Sequence, residues 1–199
     1  MNNLNINKDS IRKKLRQKRE QLTTQEQQQK SQLIANNVKK SDLYQQASKI
    51  AFYHAVRGEA DPATLMSMGT EKHFYLPILS CDSSEGLVFA PIDAETQYKN
   101  NVFGIPEPIV KPNNYINTAL LDLVVMPLLG FDSDGNRLGM GGGYYDRCFA
   151  FKNANITKSP TKPVLIGFAY NFQEIDALHP ESWDIGLDII ATENQLIIL

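Results

Sequence analysis

A glycine-rich segment carries the residues best suited to hold a phosphate group. Gly139 and the run Gly141, Gly142 and Gly143 fall within five consecutive positions, after an apolar segment and a turn. Glycine lets backbone amides approach a ligand closely, and such amides donate hydrogen bonds to phosphate oxygens. The segment lacks the Lys-Ser/Thr pair of a Walker A loop and the later acidic residue of a dinucleotide fingerprint. The alternative interpretation is a tight turn that only requires left-handed backbone angles.

Carboxylates near these glycines are suited to a hard divalent cation. Asp146 closes the segment, and Asp184 and Asp188 lie in a short acidic stretch farther along the chain. Magnesium usually takes one or two carboxylates together with substrate phosphates, so we expect a metal beside the glycines. Each Asp is also compatible with a helix cap or a solvated loop. Residues 132–136 have the composition of a turn and lack the terminal Glu of a calcium loop.

Basic and polar residues elsewhere can complete a ligand site. Lys8, Arg12 and Arg16 recur at four-residue steps, which places them on one face of a helix that can clamp phosphate. A solvated helix surface explains the same run of charge. Glu59 follows a predicted strand and can meet a polar heterocycle at the end of a sheet, although solubility explains an exposed Glu equally well. Trp183 is compatible with either the core or the surface.

Helices and strands alternate along the chain. The polar segment 8–37 has helical spacing and breaks near Thr23, where Thr24 and Gln27 have the pattern of a capping box. Strands are predicted at residues 49–55, 73–79, 86–91, 122–129, 163–169 and 187–192; helices at 61–68 and 144–151; and an extended connection at 100–114. This order predicts an α/β protein with a single-domain layered fold, in which helices flank a central, mainly parallel sheet.

Composition limits the classes of function. A chain of 199 residues with 42% hydrophobic residues can bury one core, so we expect residues 1–199 to form a single domain. A net charge of -2 argues against general nucleic-acid binding. The two cysteines lack the spacing of a zinc site, and His54, His73 and His179 show no metal spacing. No secretory signal or membrane-spanning stretch is visible, so we expect a cytoplasmic monomer that binds no membrane.

These segments together resemble the 5-formyltetrahydrofolate cyclo-ligase family, also called methenyltetrahydrofolate synthetases. The resemblance covers nearly the whole chain and is carried by residues 8–12, 53–59, 103–108, 125–147 and 183–188. Its most specific part is the pattern Gly-Asn-Arg-Leu-Gly-x-Gly-x-Gly-Tyr-Tyr-Asp at residues 135–146. Some members of the family carry Lys or Arg where this chain has Met140 and Gly142, which implies that other residues here supply part of the charge that meets phosphate.

The resemblance implies a set of ligand residues. ATP is expected at Lys8, Arg12, Arg137, Leu138, Gly139, Met140, Gly141, Gly142, Gly143, Tyr144 and Tyr145. The folate substrate is expected at His54, Glu59, Phe103, Met140, Gly141, Gly142, Gly143 and Tyr144. Magnesium is expected at Asp146 and Asp184, and the catalytic residues are expected to be Arg137 and Asp146.

The resemblance also implies a reaction. The formyl oxygen on N5 of 5-formyltetrahydrofolate attacks the γ-phosphorus of ATP, N10 closes the ring, and phosphate leaves to give 5,10-methenyltetrahydrofolate. Phosphoryl transfer mainly requires alignment and charge neutralisation, so no protein nucleophile is needed. The alternatives are another small ATP-dependent ligase or kinase, a non-catalytic folate- or nucleotide-binding protein, and an RNA-binding accessory domain that uses the basic N-terminal helix.

Overall fold

The computed structural model of the chain describes residues 7–66, 71–153 and 162–199. The α-helices are α1 (Lys8–Glu20), α2 (Thr24–Lys39), α3 (Asp42–Gln46) and α4 (Tyr144–Cys148). The strands are β1 (Lys49–Ala51), β2 (His73–Leu79), β3 (Leu87–Ile92), β4 (Tyr98–Asn100), β5 (Pro106–Pro108), β6 (Leu123–Met126), β7 (Gly130–Phe131), β8 (Arg137–Leu138), β9 (Val164–Phe168), β10 (Ile189–Ala191) and β11 (Leu196–Ile198). Short 3-10 helices occur at Pro62–Leu65, Pro112–Asn114, Thr118–Leu120, Ala150–Lys152 and Asn171–Gln173.

Within the described residues, seven strands form the central sheet in the order β11-β10-β9-β6-β1-β2-β3. The pairs β2-β1, β1-β6, β6-β9 and β9-β10 are parallel, whereas the two outermost pairs are antiparallel. The predicted α/β class with a mainly parallel sheet is therefore confirmed. The chain proceeds from β1 to β2 on one side and later enters β6 on the other side of β1, so the order reverses between β1 and β6.

The sheet is covered on both faces, as strands made almost wholly of apolar residues require. In β6, Leu123 and Val125 face a core that includes Ile34 of α2, while Val124 and Met126 face the opposite core. All four β6 side chains are at most 1% exposed. This period of two divides one short strand between two hydrophobic layers, and it explains why the strand reads as an unbroken apolar run.

Most of the predicted elements are correct in type and order, but most of their limits differ. Strand 73–79 is confirmed at both ends. The strands predicted at 49–55 and 122–129 end early, at Ala51 and Met126, because the chain there leaves the sheet. The helix predicted at 144–151 ends at Cys148, and the helix predicted at 61–68 is a 3-10 turn at Pro62–Leu65, with positions 67–68 outside the described residues.

Some short elements escaped prediction. The connection predicted as extended at 100–114 contains β5, which pairs with β4 as an antiparallel hairpin. Two prolines in β5 conceal the strand, since proline is tolerated in strands that lie at an edge. Strand β11 adds an antiparallel edge after β10.

The turn at 132–136 is built around a buried carboxylate. Asp132 is 1% exposed and accepts hydrogen bonds from the amides of Asp134, Asn136 and Leu178. It therefore holds the β7-β8 hairpin against a distant segment and has the structural role that the turn composition predicted. No helix among the described residues has the length and apolar character needed to cross a membrane.

Candidate active site

A cavity of about 730 Å³ opens where the strand order reverses. One wall is formed by residues that come directly after β1, and another by residues that come directly after β6. The gap between two such strand ends is where α/β sheets commonly bind ligands. The sequence-predicted ligand residues all line this cavity: Lys8, Arg12, His54, Glu59, Phe103, Arg137, Leu138, Gly139, Met140, Gly141, Gly142, Gly143, Tyr144, Tyr145, Asp146 and Asp184. The structure thus brings together residues up to 176 positions apart, whereas the ligand that each one contacts stays a prediction.

The glycine loop, residues 139–143, lines the cavity along its whole length. Gly141 and Gly143 have φ angles of 98° and 62°, which favour glycine because a side chain would be strained there. Two carbonyl groups are held by arginines: Gly139 O accepts from Arg12 Nε at 3.0 Å and Gly142 O from Arg147 Nη1 at 3.0 Å. No acceptor within the described part of the chain takes the amides of residues 139–143. The loop is therefore a set of donors without protein partners, as an anion site requires.

Leu138 has a different position from the glycines that follow it. Its side chain is 2% exposed, and its carbonyl accepts from the amide of Leu129 at 2.8 Å. Leu138 therefore forms the apolar floor beneath the loop, and its backbone belongs to the β7-β8 hairpin.

Arg137 and Asp146 form an ion pair at the base of the loop. Arg137 Nη2 lies 2.7 Å from Asp146 Oδ1, and the same oxygen accepts from the amide of Ile185 at 3.2 Å. The Arg137 side chain is 6% exposed, and its guanidinium lies over the Tyr145 ring at 5.8 Å. Burial raises the pKa of the Tyr145 hydroxyl, so Tyr145 stays protonated and can donate a hydrogen bond.

Asp146 and Asp184 fit a metal that also binds substrate oxygens. The Ile185 amide links the two segments, because it follows Asp184 in the chain and donates to Asp146. Asp184 Oδ2 accepts from the Glu181 amide at 2.9 Å and lies 3.7 Å from Lys8 Nζ. Among the described residues, no group of three or more His, Cys, Asp or Glu is arranged to hold a metal ion. This donor set fits magnesium, which often takes one or two carboxylates with substrate phosphates and water.

Helix α1 forms a basic wall of the cavity. It begins after Asn7, whose side chain accepts from the amides of Asp9 and Ser10. Lys8 and Arg12 reach the cavity from successive turns, with Lys8 beside Asp184 and Arg12 bonded to the glycine loop. The predicted basic helical face therefore lines a ligand cavity.

Glu59 lies at the other end of the cavity from Asp184, in a turn that a buried arginine holds. Arg19 is 1% exposed; its Nη1 lies 3.5 Å from Glu59 Oε1 and its Nε donates to Arg57 O at 3.0 Å. Glu59 Oε2 accepts from the amide of Val56 at 3.1 Å, and Arg57 has a φ angle of 53°. Burial raises the pKa of Glu59, while the positive charge of Arg19 acts in the opposite direction.

Aromatic rings and an imidazole also line the cavity. Phe103 is 52% exposed and meets Tyr144 edge-on, with 6.1 Å between ring centroids. His54 packs edge-on against Tyr98 at 5.7 Å, and its buried Nε2 has no partner among the described residues. Burial lowers the pKa of His54, so the ring is neutral near pH 7. A flat heterocycle can be contacted here by ring faces and by one unpaired imidazole nitrogen.

Sequence reasoning missed several residues of the cavity wall. Tyr53 is buried and donates to Ala60 O at 2.5 Å, while Asn101 and Glu107 hold the hairpin that carries Phe103. Trp183, which was compatible with core or surface, is 65% exposed and lines the cavity. The position of Asn101 before Phe103 gave no signal, because its role depends on a hairpin that the prolines concealed.

The fold and the site define the class: this is an α/β protein whose ligand cavity lies at the switch point of the sheet, between a glycine loop and a basic helix. The model of the 5-formyltetrahydrofolate cyclo-ligase family matches residues 5–193. The chain belongs to that family and is an enzyme of this kind.

Curated relatives are similar over almost their full length. The chain is 34% identical over 183 residues to the 5-formyltetrahydrofolate cyclo-ligase of Haemophilus influenzae, covering 90% of this chain and 94% of the relative. It is 32% identical over 184 residues to the enzyme of the same name from Escherichia coli K12, covering 92% and 98%.

Solved structures share the fold. The 5,10-methenyltetrahydrofolate synthetase of Aquifex aeolicus superposes with a TM-score of 0.77 at 29% identity, covering 96% of this chain and 92% of the other. The synthetase of Mycoplasma pneumoniae superposes with a TM-score of 0.67 at 24% identity, covering 94% and 99%. At that lower identity, the second comparison supports the fold alone.

Proposed function

We propose that this enzyme converts 5-formyltetrahydrofolate into 5,10-methenyltetrahydrofolate while ATP is converted into ADP and phosphate. The observation that carries the proposal is the single cavity in which the glycine loop, the basic face of α1 and two carboxylates meet Glu59 and the aromatic wall. Both a triphosphate and a pterin find suitable chemistry there. The names of the relatives point to the same reaction.

The nucleotide occupies the loop end of the cavity in this proposal. The free amides of the glycine loop donate to phosphate oxygens, and Lys8 and Arg12 neutralise their charge. Asp146 and Asp184 hold magnesium, which when bound neutralises charge on the phosphates. Arg137 orients the Asp146 carboxylate through the 2.7 Å contact between its Nη2 and Asp146 Oδ1.

The folate occupies the Glu59 end. The Glu59 carboxylate accepts hydrogen bonds from N–H donors of the pterin, His54 contacts its polar edge, and Phe103 and Tyr144 cover its ring. This arrangement aims the N5-formyl oxygen at the terminal phosphoryl group. Because alignment and charge neutralisation suffice for phosphoryl transfer, the absence of a protein nucleophile from the proposal is consistent with the chemistry.

The proposal also covers the domain organisation, the oligomeric state and the location of the enzyme. We propose that residues 1–199 act as one domain and that the enzyme works as a monomer in the cytoplasm, independently of nucleic acid and membranes. The net charge of -2 supports this independence from nucleic acid.

An absorbance assay for the methenyl product tests the function. Purified enzyme is given 5-formyltetrahydrofolate with both ATP and magnesium, or with one of them left out, and ADP is measured in parallel. We expect methenyl product and ADP in equal amounts only when all components are present. ADP release that does not depend on folate indicates a different ligase or kinase, and binding of both ligands without product indicates a non-catalytic protein.

A further inference from the structure

Arg16 is a cation in the cavity wall whose buried nitrogen lacks a protein partner. Its side chain lines the cavity, and its Nε is buried without a hydrogen-bond acceptor among the described residues. A buried guanidinium N–H without an acceptor is costly, so its persistence suggests that a ligand supplies the acceptor. The pattern of four-residue steps placed Arg16 on the basic face, but no ligand is assigned to it by the proposed function.

Neighbouring cations in the cavity wall are already engaged by the protein. Lys8 lies 3.7 Å from Asp184, Arg12 donates to Asp9 at 2.7 Å, and Arg137 donates to Asp146 at 2.7 Å. Arg57 also lines the cavity but is exposed to solvent. The Nε of Arg137 also lacks an acceptor, but the Arg137 charge is paired with Asp146. Among the described cations of the cavity wall, Arg16 is therefore the half-buried one that forms no ion pair with the protein.

The position of Arg16 along α1 places it between the two ends of the cavity. Arg12, one turn earlier, is bonded to Gly139 of the glycine loop, and Arg19, one turn later, is paired with Glu59. With a rise of about 1.5 Å per residue, Arg16 lies about 6 Å along the helix axis from Arg12 and about 4.5 Å from Arg19. In the proposed function, that interval separates the nucleotide phosphates from the folate.

We propose that Arg16 is a catalytic residue that contacts the phosphoryl group during its transfer from ATP to the formyl oxygen. The inference rests on the proposed function. In the transfer, a bond forms between the formyl oxygen and the γ-phosphorus while the bond from that phosphorus to the ADP oxygen breaks. Negative charge spreads over the three remaining phosphoryl oxygens, and a guanidinium fork can donate to two of them. N10 then attacks the formyl carbon and loses its proton to water, and the carbon–oxygen bond breaks with its electron pair leaving on the released phosphate.

The test compares Arg16→Met with Lys14→Met, a control that removes an exposed cation from the same helix outside the cavity. Loss of one donor to a developing charge lowers kcat by about 100- to 1,000-fold, so we expect this loss in Arg16→Met. KM values for ATP and 5-formyltetrahydrofolate are expected to change by no more than about threefold, because the contact strengthens in transfer. Inhibition by inorganic phosphate should also weaken, whereas Lys14→Met should match the wild type in each measurement.

Other outcomes overturn the inference. Wild-type kcat in a folded Arg16→Met variant removes Arg16 from transfer, and a rise in the KM of ATP with unchanged kcat makes it only a nucleotide-binding residue. If Arg16→Met unfolds, Arg16→Gln retains a polar donor and is judged by the same values. If the wild-type enzyme forms no ATP-dependent product, the proposed function itself is contradicted. The wild-type activity is therefore measured before the variants are compared.

Discussion

At the scale of single residues, the Arg19–Glu59 pair determines the charge of the proposed folate site. Burial alone favours a protonated Glu59, which would lose its capacity to accept two pterin N–H donors. Arg19 opposes this effect from within the protein, because it is 1% exposed and lies 3.5 Å from the carboxylate. Arg19 therefore acts on the substrate through Glu59.

A double-mutant cycle tests this coupling. We expect Arg19→Met to raise the KM for 5-formyltetrahydrofolate about tenfold, equivalent to about 1.4 kcal/mol, with little change in the KM for ATP. Glu59→Gln should have a similar effect, and adding Arg19→Met to it should change the KM little further. The measurement is initial-rate kinetics on the two single variants and the double variant. If the KM increases of the two single variants multiplied in the double variant, Arg19 would act independently of Glu59.

The pH profile provides a second readout of the same pair. Arg19 lowers the pKa of Glu59, so its removal leaves the effect of burial less opposed and raises that pKa further. The pH below which kcat/KM for the folate declines should therefore move upward in Arg19→Met. Arg57 from the same turn also lowers the pKa of Glu59, whereas burial and, to a smaller extent, the charge of Glu59 itself raise the pKa values of the Tyr53 and Tyr145 hydroxyls. An unchanged profile, with melting temperature alone lowered, would assign Arg19 a purely structural role.

Asp146 is the residue whose proposed metal role is most directly testable. Asp146→Asn keeps an acceptor for Arg137 and for the Ile185 amide but removes the negative charge. We expect kcat to fall by about 100-fold or more at saturating ATP, with a higher magnesium concentration required for half-maximal rate. Activity is measured across a magnesium titration, with Asp176→Asn, an exposed residue outside the cavity, as the control. An unchanged magnesium requirement would remove Asp146 from the metal site.

At the scale of elements, the start of α2 shows which details of a helix terminus a local sequence pattern can predict. The sequence predicted a capping box at Thr24 and Gln27, but the reciprocal hydrogen bonds join Thr23 and Glu26. That prediction was wrong by one residue, because adjacent threonines are each followed three positions later by a suitable partner. The local pattern does not distinguish the two threonines, because both have the spacing that a capping box requires.

The two threonines form a matched pair of variants. Thr23→Ala removes the side chain that accepts from the Glu26 amide, so we expect the free energy of unfolding to fall by about 1 kcal/mol. Thr24→Ala replaces an exposed residue inside the helix and should change it by less than about 0.5 kcal/mol. Urea unfolding followed by circular dichroism measures both, and kcat should be unaffected. Equal losses would mean that the box does not stabilise the helix.

Strand limits differ from prediction for a related reason. Residues after Ala51 have apolar β character, yet the chain leaves the sheet there and turns at Arg57 and Gly58, where both φ angles are positive. That turn delivers Glu59 to the cavity. Local propensity predicted the strand itself, whereas its end depends on the wall of the site that follows.

At the scale of the whole molecule, the predicted site residues were gathered by a fold whose class the sequence also predicted. The order of apolar segments was sufficient for a mainly parallel sheet, and the glycine segment lines the cavity at the edge of that sheet. The residues that hold the site residues in place could not be predicted from the sequence in the same way. Arg19 and Glu59 are 40 positions apart. In the sequence alone, Arg19 is one of several charges in a basic helix, and Glu59 is explained by the solubility that an exposed Glu provides. Their relation exists only after α1 packs across the end of the sheet.

Because α1 spans both ends of one cavity, ligand binding should stabilise the entire fold in two separable ways. A ligand at about 100 times its Kd stabilises the folded state by about 2.7 kcal/mol, which corresponds to roughly 5–10 °C in Tm at this chain length. Magnesium with a non-hydrolysable ATP analogue, and 5-formyltetrahydrofolate alone, should each produce such a shift in a thermal melt.

Variants at the two ends should remove these shifts selectively. Arg12→Met, which removes the contact with the glycine loop, should lose most of the nucleotide shift and retain the folate shift. Glu59→Gln should show the reverse, since its carboxylate lies at the other end of the helix. If each variant lost both shifts equally, the two ligands would not occupy separate ends of the cavity. The central position assigned to Arg16 would then lose its basis, because no interval would remain between donor and acceptor for the phosphoryl group to cross.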